Sequence, residues 1–307
     1  MLRVGVIGLG SMGKIHLRNY CEMAQAHVVG AVDLAEANRE AAEKQFGVKA
    51  FDSVAALLAE GVDAVSISVP TSLHFEVAMQ VIAAGVSLLV EKPLAATAEQ
   101  GRQIVKAARE RGVTLMVGHI ERFNPAVVAL KPLIAQGLVS VSIERSGPFP
   151  ARIQDVGVVK DLSSHDIDLA AHLAGSEFET VAGACANGLS SAHAHEDCAV
   201  IVGKMKNGVV ATVANNWVTP FRVRVIRAAC VDRFYEADLI TLTLREYGAF
   251  DQQTKTYTVR EHPTVRKEQM REELTAFLNA VQGKTEPPIT GEDGLVVLEV
   301  IEKVLGE

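Results

Sequence analysis

Residues 3 to 13 read Arg-Val-Gly-Val-Ile-Gly-Leu-Gly-Ser-Met-Gly, and the order of residue types in that run decides the fold. Val4, Val6 and Ile7 make an apolar, β-branched strand; glycines at 8, 10 and 13 follow at once, and a helical pattern begins behind them. Gly8 permits the tight turn out of the strand. Gly10 lets the backbone approach a pyrophosphate closely, and Gly13 lets the new helix pack against the strand. The helix start then offers backbone N–H groups and a positive dipole end to phosphates. Gly8, Leu9, Gly10, Ser11, Met12 and Gly13 are therefore the expected cofactor cradle. Glycines punctuate many loops, so it is the strand before and the helix after that give this spacing its meaning.

A second apolar strand, His27-Val-Val-Gly-Ala-Val-Asp33, ends on a carboxylate 20 residues past Gly13. That is where a dinucleotide fingerprint places the acceptor for the adenosine ribose hydroxyls. A carboxylate there repels a 2′-phosphate, and Leu34 follows it rather than Arg or Lys. NAD is thus expected over NADP. The plainer role for Asp33 is to cap the helix that begins near Ala35.

Length and composition fit such a fold. The chain has 307 residues, of which 49% are hydrophobic, enough for one large or two ordinary domains with substantial cores. A net charge of −7 gives no footprint for nucleic acid or an acidic membrane surface. No apolar run reaches the roughly 20 residues that span a bilayer, and the start enters a strand directly, so no signal peptide is expected. Cys21, Cys185, Cys198 and Cys230 are scattered without CxxC spacing, as in a cytoplasmic protein with reduced thiols.

Strand-like runs at 3–7, 27–33, 63–69, 86–90 and 114–118 alternate with helical patterns near 12–24, 35–46, 53–60, 73–84 and 97–111, with a possible short strand at 48–51. Apolar strands separated by helices indicate a doubly wound parallel sheet, an α/β Rossmann domain over residues 1–120. The C-terminal strand ends share one edge, where ligands bind. That edge collects Gly8–Met12, Asp33, Pro70, Thr71, His74, Glu91, Lys92 and the run His119–Arg122. Beyond 120, Asn124-Pro125 opens a helix with a side-chain cap and a first-position proline, running to about Gln136. Strand periods follow at Val139–Arg145, Cys198–Met205, Val209–Trp217, Arg222–Ala229 and Leu239–Arg245, with a hairpin turn at Asn207-Gly208. A helical pair, near 268–282 and 292–305, closes the chain. Residues 121–307 read as one α+β domain with a mainly antiparallel sheet.

A polar cluster stands within this second half. Lys160-Asp-Leu-Ser-Ser-His-Asp-Ile-Asp-Leu-Ala-Ala-His-Leu places Asp161 and His165 four apart, on one helical face, and repeats the spacing with Asp168 and His172. No His-x3-His pair is present, so metal is not expected. Asp161 can also simply cap, and His172 can sit satisfied in a core. His165 suits proton transfer near neutral pH. The run Ser190-Ser-Ala-His-Ala-His195-Glu-Asp-Cys198 has a metal-like composition but reads as a loop leading into a strand.

These residues together resemble the Gfo/Idh/MocA oxidoreductases. The resemblance covers nearly the whole chain. It rests on Gly8–Gly13, the Glu91-Lys-Pro93 motif, Asp161-x-x-x-His165 with Asp168, and Glu196-Asp-Cys-Ala before the Asn207-Gly208 hairpin and Trp217. It implies sugar or cyclitol substrates, Lys92, Asp161 and His165 as the catalytic and substrate-binding set, and an open sheet face that makes a homodimer or homotetramer. Where the family often has Asp-x-Gly-x-His, Ser163 stands at the glycine position. The run Gly118-His-Ile-Glu-Arg-Phe-Asn-Pro-Ala126 is similar to a segment of members acting on UDP-N-acetylglucosamine at the sugar 3-hydroxyl, which implies a nucleotide-sugar dehydrogenase. Arg122 and Asn124 offer donors for a diphosphate or sugar hydroxyls, with local capping and ion pairing as their alternative. An inositol or monosaccharide dehydrogenase, or a non-catalytic NAD-binding regulator, are the other functions such a chain could carry.

Overall fold

Strand β1 (Leu2–Ile7) is buried from Val4 onward and pairs in parallel with both its neighbours, β2 (Ala26–Val32) and β4 (Ala64–Ile67), as expected of a strand apolar on both faces. The computed structural model describes residues 1–150, 156–188 and 194–307. With β3 (Ala50–Phe51), β5 (Ser87–Glu91) and β6 (Leu115–Gly118), these strands form a six-stranded parallel sheet in the order β3-β2-β1-β4-β5-β6. Helices α1 (Ser11–Glu22), α2 (Glu36–Phe46), α3 (Val54–Ala59), α4 (His74–Ala83) and α5 (Ala98–Arg111) make the crossovers. The strand order reverses at β1 and β4, the switch point at which such sheets bind ligands. Local chemistry sets the element ends. In α5, for example, the Thr97 hydroxyl accepts from Gln100 N at 3.2 Å, and Gly112 closes the helix at φ 70°.

The second sheet has eight strands: β7 (Leu138–Pro148), β8 (Phe178–Ala186), β9 (Cys198–Met205), β10 (Val210–Asn216), β11 (Val218–Cys230), β12 (Arg233–Asp238), β13 (Thr243–Gly248) and β14 (Val259–His262). Their order is β14-β13-β12-β11-β7-β10-β9-β8, antiparallel throughout except for β7 against β10. Helix α6 (Pro125–Ile134) and helix α7 (Ser164–Ala174) pack on one face. The other face is open: Ala199, Ile201 and Met205 are buried while Val200 and Val202, between them, are exposed. Asn124 caps α6, its Oδ1 accepting from Ala126 N at 3.0 Å, and Gly208 turns the β9–β10 hairpin at φ 91°.

The strand expected at Leu239–Arg245 is instead a tight turn followed by the first half of β13. Asp238 Oδ1 accepts from Ile240 N at 2.8 Å and from Thr241 N at 2.9 Å, and Leu242 adopts φ 58°. An Asp side chain that folds back on its own backbone breaks the ladder.

Residues 121–307, expected as one domain, do not cluster as one unit. The chain divides into residues 1–120 with 268–298, and residues 121–267 with 299–307. Helix α8 (Gln269–Val281) packs on α1 and buries Met270, Leu274, Phe277 and Leu278 in the first unit. Gly291 and Gly294, in the first turns of helix α9 (Gly291–Leu305), lie against Val105, Leu115 and Val117 so closely that a Cβ at either would come within 3 Å of them. Helix periodicity shows which face of α8 is apolar but not which sheet it covers. Among the described residues, no helix is long and apolar enough to cross a membrane.

Leu274 is fully buried in α8, so Leu274→Ala is expected to destabilise the first unit by about 2–5 kcal/mol. Denaturant titration of that unit checks this, and an unchanged midpoint would show that α8 is no part of its core.

Candidate active site

In the first unit the glycine turn is as tight as its sequence demands. Gly8 has φ 93°, and a Cβ there would stand 2.7 Å from the Ser68 carbonyl carbon; a Cβ on Gly13 would stand 1.8 Å from Gly8 O. Gly10 differs. It is exposed, and a Cβ on it would meet nothing within 4 Å, so the space before the start of α1 is open. This fits a pyrophosphate approaching backbone N–H groups at a helix start. Ser11 is exposed and Met12 half-buried beside it.

Asp33 is held at the end of β2 by local donors. Its Oδ2 accepts from Leu9 N at 2.8 Å, tying the end of β2 to the glycine turn, while Oδ1 accepts from Ala35 N at 2.9 Å and Asn38 Nδ2 at 3.2 Å. A carboxylate has about four lone-pair sites; three donors leave room for about one more, a ribose hydroxyl among the candidates. Pro70 is exposed and Thr71 half-exposed at the end of β4, where a short 3-10 turn begins.

His74 and Glu91, expected to touch cofactor, turn inward. His74 is 1% exposed, with Nδ1 2.8 Å from Pro93 O and Nε2 3.0 Å from Val69 O. It is a strut between the loops after β4 and β5. Burial lowers its pKa and outweighs the pull of those carbonyls. Glu91 Oε1 lies 2.8 Å from His16 Nε2 of α1. Burial pushes the Glu91 carboxyl up, but the hydrogen bond and charge of His16, with Lys92 and His74, outweigh it and hold the group below its usual range. Buried Glu273 of α8 joins them: ligand-type atoms of His16, Glu91 and Glu273 all lie within 4.8 Å of one another. His16 and Glu273 carry no local mark in the sequence; only the fold, which sets α8 against α1, brings them to Glu91. Lys92 follows, half-buried, at the strand exit.

In the second unit Asp161 and His165 are both half-buried. Asp161 lies in a π-helical turn, Val159–Ser163, that leads into α7, and His165 in the first turn of α7 itself. Ser163 needs no glycine conformation there: its φ is −65°, and its hydroxyl donates to Asn215 Oδ1 at 2.6 Å. Glu196 anchors the start of the turn. Its Oε1 accepts from Val159 N at 3.0 Å, and a Cβ on Gly157 would lie 2.1 Å from that carboxylate. From the metal-like run beginning at Ser190, residues 190–193 lie outside the described ones.

Beneath α7 lies a buried ionic network. Arg145, 2% exposed, pairs with Asp166 at 2.9 Å and with Glu121 at 2.8 Å. Asn215 Nδ2 donates to Asp166 Oδ2 at 2.7 Å. Burial pushes Glu121 up, but the Arg145 charge and hydrogen bond outweigh it and hold its carboxyl low. Arg122 and Asn124, expected as substrate donors, are drawn into this interior. Arg122 is 9% exposed and pairs with Asp168, Nη2 to Oδ1 at 2.6 Å. Asn124, 1% exposed, caps α6 and donates from Nδ2 to Leu239 O at 3.1 Å. The geometry favours capping and ion pairing for both. His172 is not in a core: its Nδ1 lies 2.9 Å from Lys131 Nζ, part-buried.

A doubly wound sheet opening on a phosphate-type glycine turn, followed by an antiparallel unit, is the build of a dinucleotide-dependent oxidoreductase. The chain belongs to the Gfo/Idh/MocA family: the family's NAD-binding Rossmann fold matches residues 2–119, and its C-terminal alpha/beta domain residues 151–305. It is 37% identical over 246 residues to UDP-N-acetylglucosamine 3-dehydrogenase of Acidithiobacillus ferrooxidans, covering 80% of this chain and 77% of that protein. A solved structure of that dehydrogenase has a TM-score of 0.91, with 31% identity over 99% of this chain and 96% of the other. Inositol 2-dehydrogenase of Rhizobium meliloti is 31% identical over 186 residues, 57% of this chain and 56% of that one. A gentamicin A biosynthesis protein solved in complex with NAD shares the fold, with a TM-score of 0.85 and 24% identity over 99% of this chain and 93% of that chain.

The depressed carboxyl of Glu91 has a consequence for acid stability. A group whose folded pKa is lowered contributes stability that is complete above its ordinary value of 4.5 and lost as pH falls through the folded value. The stability gap between wild type and Glu91→Gln should therefore be widest near neutral pH and close below pH 4.5. Denaturant midpoints measured from pH 7 to pH 3 check this; a gap undiminished at low pH would show that the charge of Glu91 contributes nothing.

Proposed function

We propose that this protein is an NAD-dependent dehydrogenase of a nucleotide sugar, acting on a secondary hydroxyl of the sugar as UDP-N-acetylglucosamine 3-dehydrogenase does. The observation that carries this reading is the retention of Lys92, Asp161 and His165 at the family's motif positions, on a chain 37% identical to that dehydrogenase over 80% of its length. A regulator that only binds dinucleotide has no need of acid–base groups, and the inositol dehydrogenases match either over a shorter stretch or at lower identity. When bound, NAD supplies the hydride acceptor.

The residues of the chain divide the remaining work. Gly8–Gly13 hold the pyrophosphate through backbone N–H groups, and Asp33 takes a ribose hydroxyl and excludes a 2′-phosphate. His165 in its neutral form accepts the proton of the substrate hydroxyl and returns it in the reverse direction. Lys92 sets a positive charge beside the oxygen as alkoxide character grows, an interaction stronger in the transition state than in the ground state. Asp161 hydrogen-bonds the substrate. The open face of the second sheet, with Val200, Val202 and Val210 exposed along neighbouring strands, supports a homodimer or homotetramer.

Lys92→Ala is expected to lower kcat by roughly 10²–10³-fold and His165→Ala by roughly 10²–10⁴-fold, both with NAD affinity retained. Steady-state assay at 340 nm on UDP-N-acetylglucosamine, with NAD binding measured separately, tests this. Near-normal kcat in either variant removes that residue from the mechanism. For the cofactor, kcat/KM with NAD should exceed that with NADP in wild type, and Asp33→Ala should narrow the ratio. A wild-type preference for NADP would overturn the role given to Asp33.

A further inference from the structure

Strand β11 turns its even-numbered residues to the covered face of the second sheet, where Ile226 and Ala228 are fully buried. Toward the start of the strand, the same parity brings Arg224 onto that face, and Arg222 follows where the register with β7 is irregular, between Val218 and Val223. Arg224 lies directly across from Arg145 of β7. Arg222 lies over Gly147, where a Cβ would stand 3.6 Å from the arginine's Cγ. Both arginines are at the end of the sheet where Asn215 and Arg145 anchor the start of α7 through Ser163 and Asp166.

Charge does not balance at this point. Three guanidinium groups, of Arg145, Arg222 and Arg224, neighbour two carboxylates, of Glu121 and Asp166. Arg145 takes Asp166 and the shorter contact to Glu121, at 2.8 Å. Arg224 reaches the same Glu121 oxygen at 3.3 Å with its side chain still 38% exposed, and donates to no other acceptor among the described residues. Its burial, with the charges of Arg145 and Arg222, pulls the Arg224 guanidinium below its usual pKa. Arg222 is exposed and has no ion pair or hydrogen bond among the described residues. Two planar donor forks thus stand side by side with most of their N–H groups unspent and an excess of positive charge around them. That arrangement suits an oxyanion with several acceptor oxygens; the neutral hydroxyls of a cyclitol would leave the excess charge unanswered.

We infer that Arg222 and Arg224 form the site for the diphosphate of a nucleotide-diphosphate sugar, and so set the substrate class; this rests on the nucleotide-sugar reading above. Strands β10 and β11 flank β7, so about 10 Å separates the strand that anchors the start of α7 from the strand carrying the two arginines. A sugar ring with a diphosphate on its anomeric oxygen bridges such a distance. The diphosphate then rests on the guanidinium pair while the sugar lies toward His165 and Asp161. Arg122, whose guanidinium is engaged by Asp168 inside the unit, is not needed for this.

The test uses the full chain with NAD saturating, so that the dinucleotide site is filled. UDP binding is measured by calorimetry for wild type, Arg222→Ala, Arg222→Glu and Arg222→Lys. Arg222 is exposed, so thermal stability should not move, which separates binding loss from misfolding. The UDP dissociation constant should rise about tenfold to a hundredfold in Arg222→Ala, more in Arg222→Glu and least in Arg222→Lys. Inorganic pyrophosphate should compete with UDP, and N-acetylglucosamine should not. In turnover, KM for UDP-N-acetylglucosamine should rise while kcat at saturation stays within about threefold. Wild-type UDP affinity in Arg222→Ala, or no UDP binding by wild type, overturns the inference. If wild type oxidises UDP-N-acetylglucosamine and Arg222→Ala does so with an unchanged KM, the arginine site falls and the proposed function stands. If UDP binding depends on Arg222 but no nucleotide sugar is oxidised, the site stands and the proposed function falls.

Discussion

The second unit is organised around one buried charge. Arg145 sits in the middle of its sheet at 2% exposure, and a guanidinium cannot shed its charge there, because Glu121 and Asp166 raise its pKa even further against the cost of burial. Its carboxylate partners are drawn from separate elements. Asp166 is brought from α7, Glu121 from the turn before α6, and Asn215 from β10. Removing one partner of such a network leaves an uncompensated charge in the interior, which costs several kcal/mol. Helix α7 is thus fixed to the sheet at its first turn, which carries His165 and directly follows the turn that carries Asp161. Packing alone would let a helix of this length slide or roll on a sheet. An ion pair with directional hydrogen bonds sets one position.

The first unit uses the same device on a smaller scale. The glycine turn, the end of β2 and the end of β5 are joined by single polar contacts: Asp33 to Leu9 N, and Glu91 to His16. His74 ties the loops after β4 and β5 together at Val69 and Pro93. Lys92 leaves the sheet between these fixed points. A flexible lysine is a poor electrostatic catalyst unless its backbone is held, since ordering it during reaction costs free energy that a preorganised group does not lose.

How much of this was legible in the sequence follows from distance along the chain. Gly8–Gly13 and Asp33 could be read because strand, turn, helix and next strand form one local unit with a fixed spacing, and the six-stranded sheet followed from alternation. Asn207-Gly208 and Asn124-Pro125 were legible for the same reason, since turn and cap chemistry is contained in a few residues. Roles that depend on what packs opposite were not. Glu91 and His74 have the right types and positions to face a ligand, but buried partners drew both inward. Arg122 was read as a donor to substrate because the residue that engages it, Asp168, lies on another element. Strands β8 and β14 escaped because their residues are mostly exposed on both faces, so no apolar alternation marks them. The pairing of Arg224 with Arg145 depends on strand register, which no local pattern prints.

The return of residues 268–298 to the first unit also bears on how the chain is made. Synthesis proceeds from the N-terminus at about 5–20 residues per second, so roughly seven to thirty seconds separate the emergence of β6 from that of α8. For that interval the surface of α1 later covered by Met270, Leu274, Phe277 and Leu278 has no partner, while nearly all of the second unit is being produced. The unit that comes first in the sequence is therefore completed after most of the unit that follows it. A nascent chain of this protein carries an unfinished dinucleotide domain until α8 emerges, and chaperones have that interval in which to meet it.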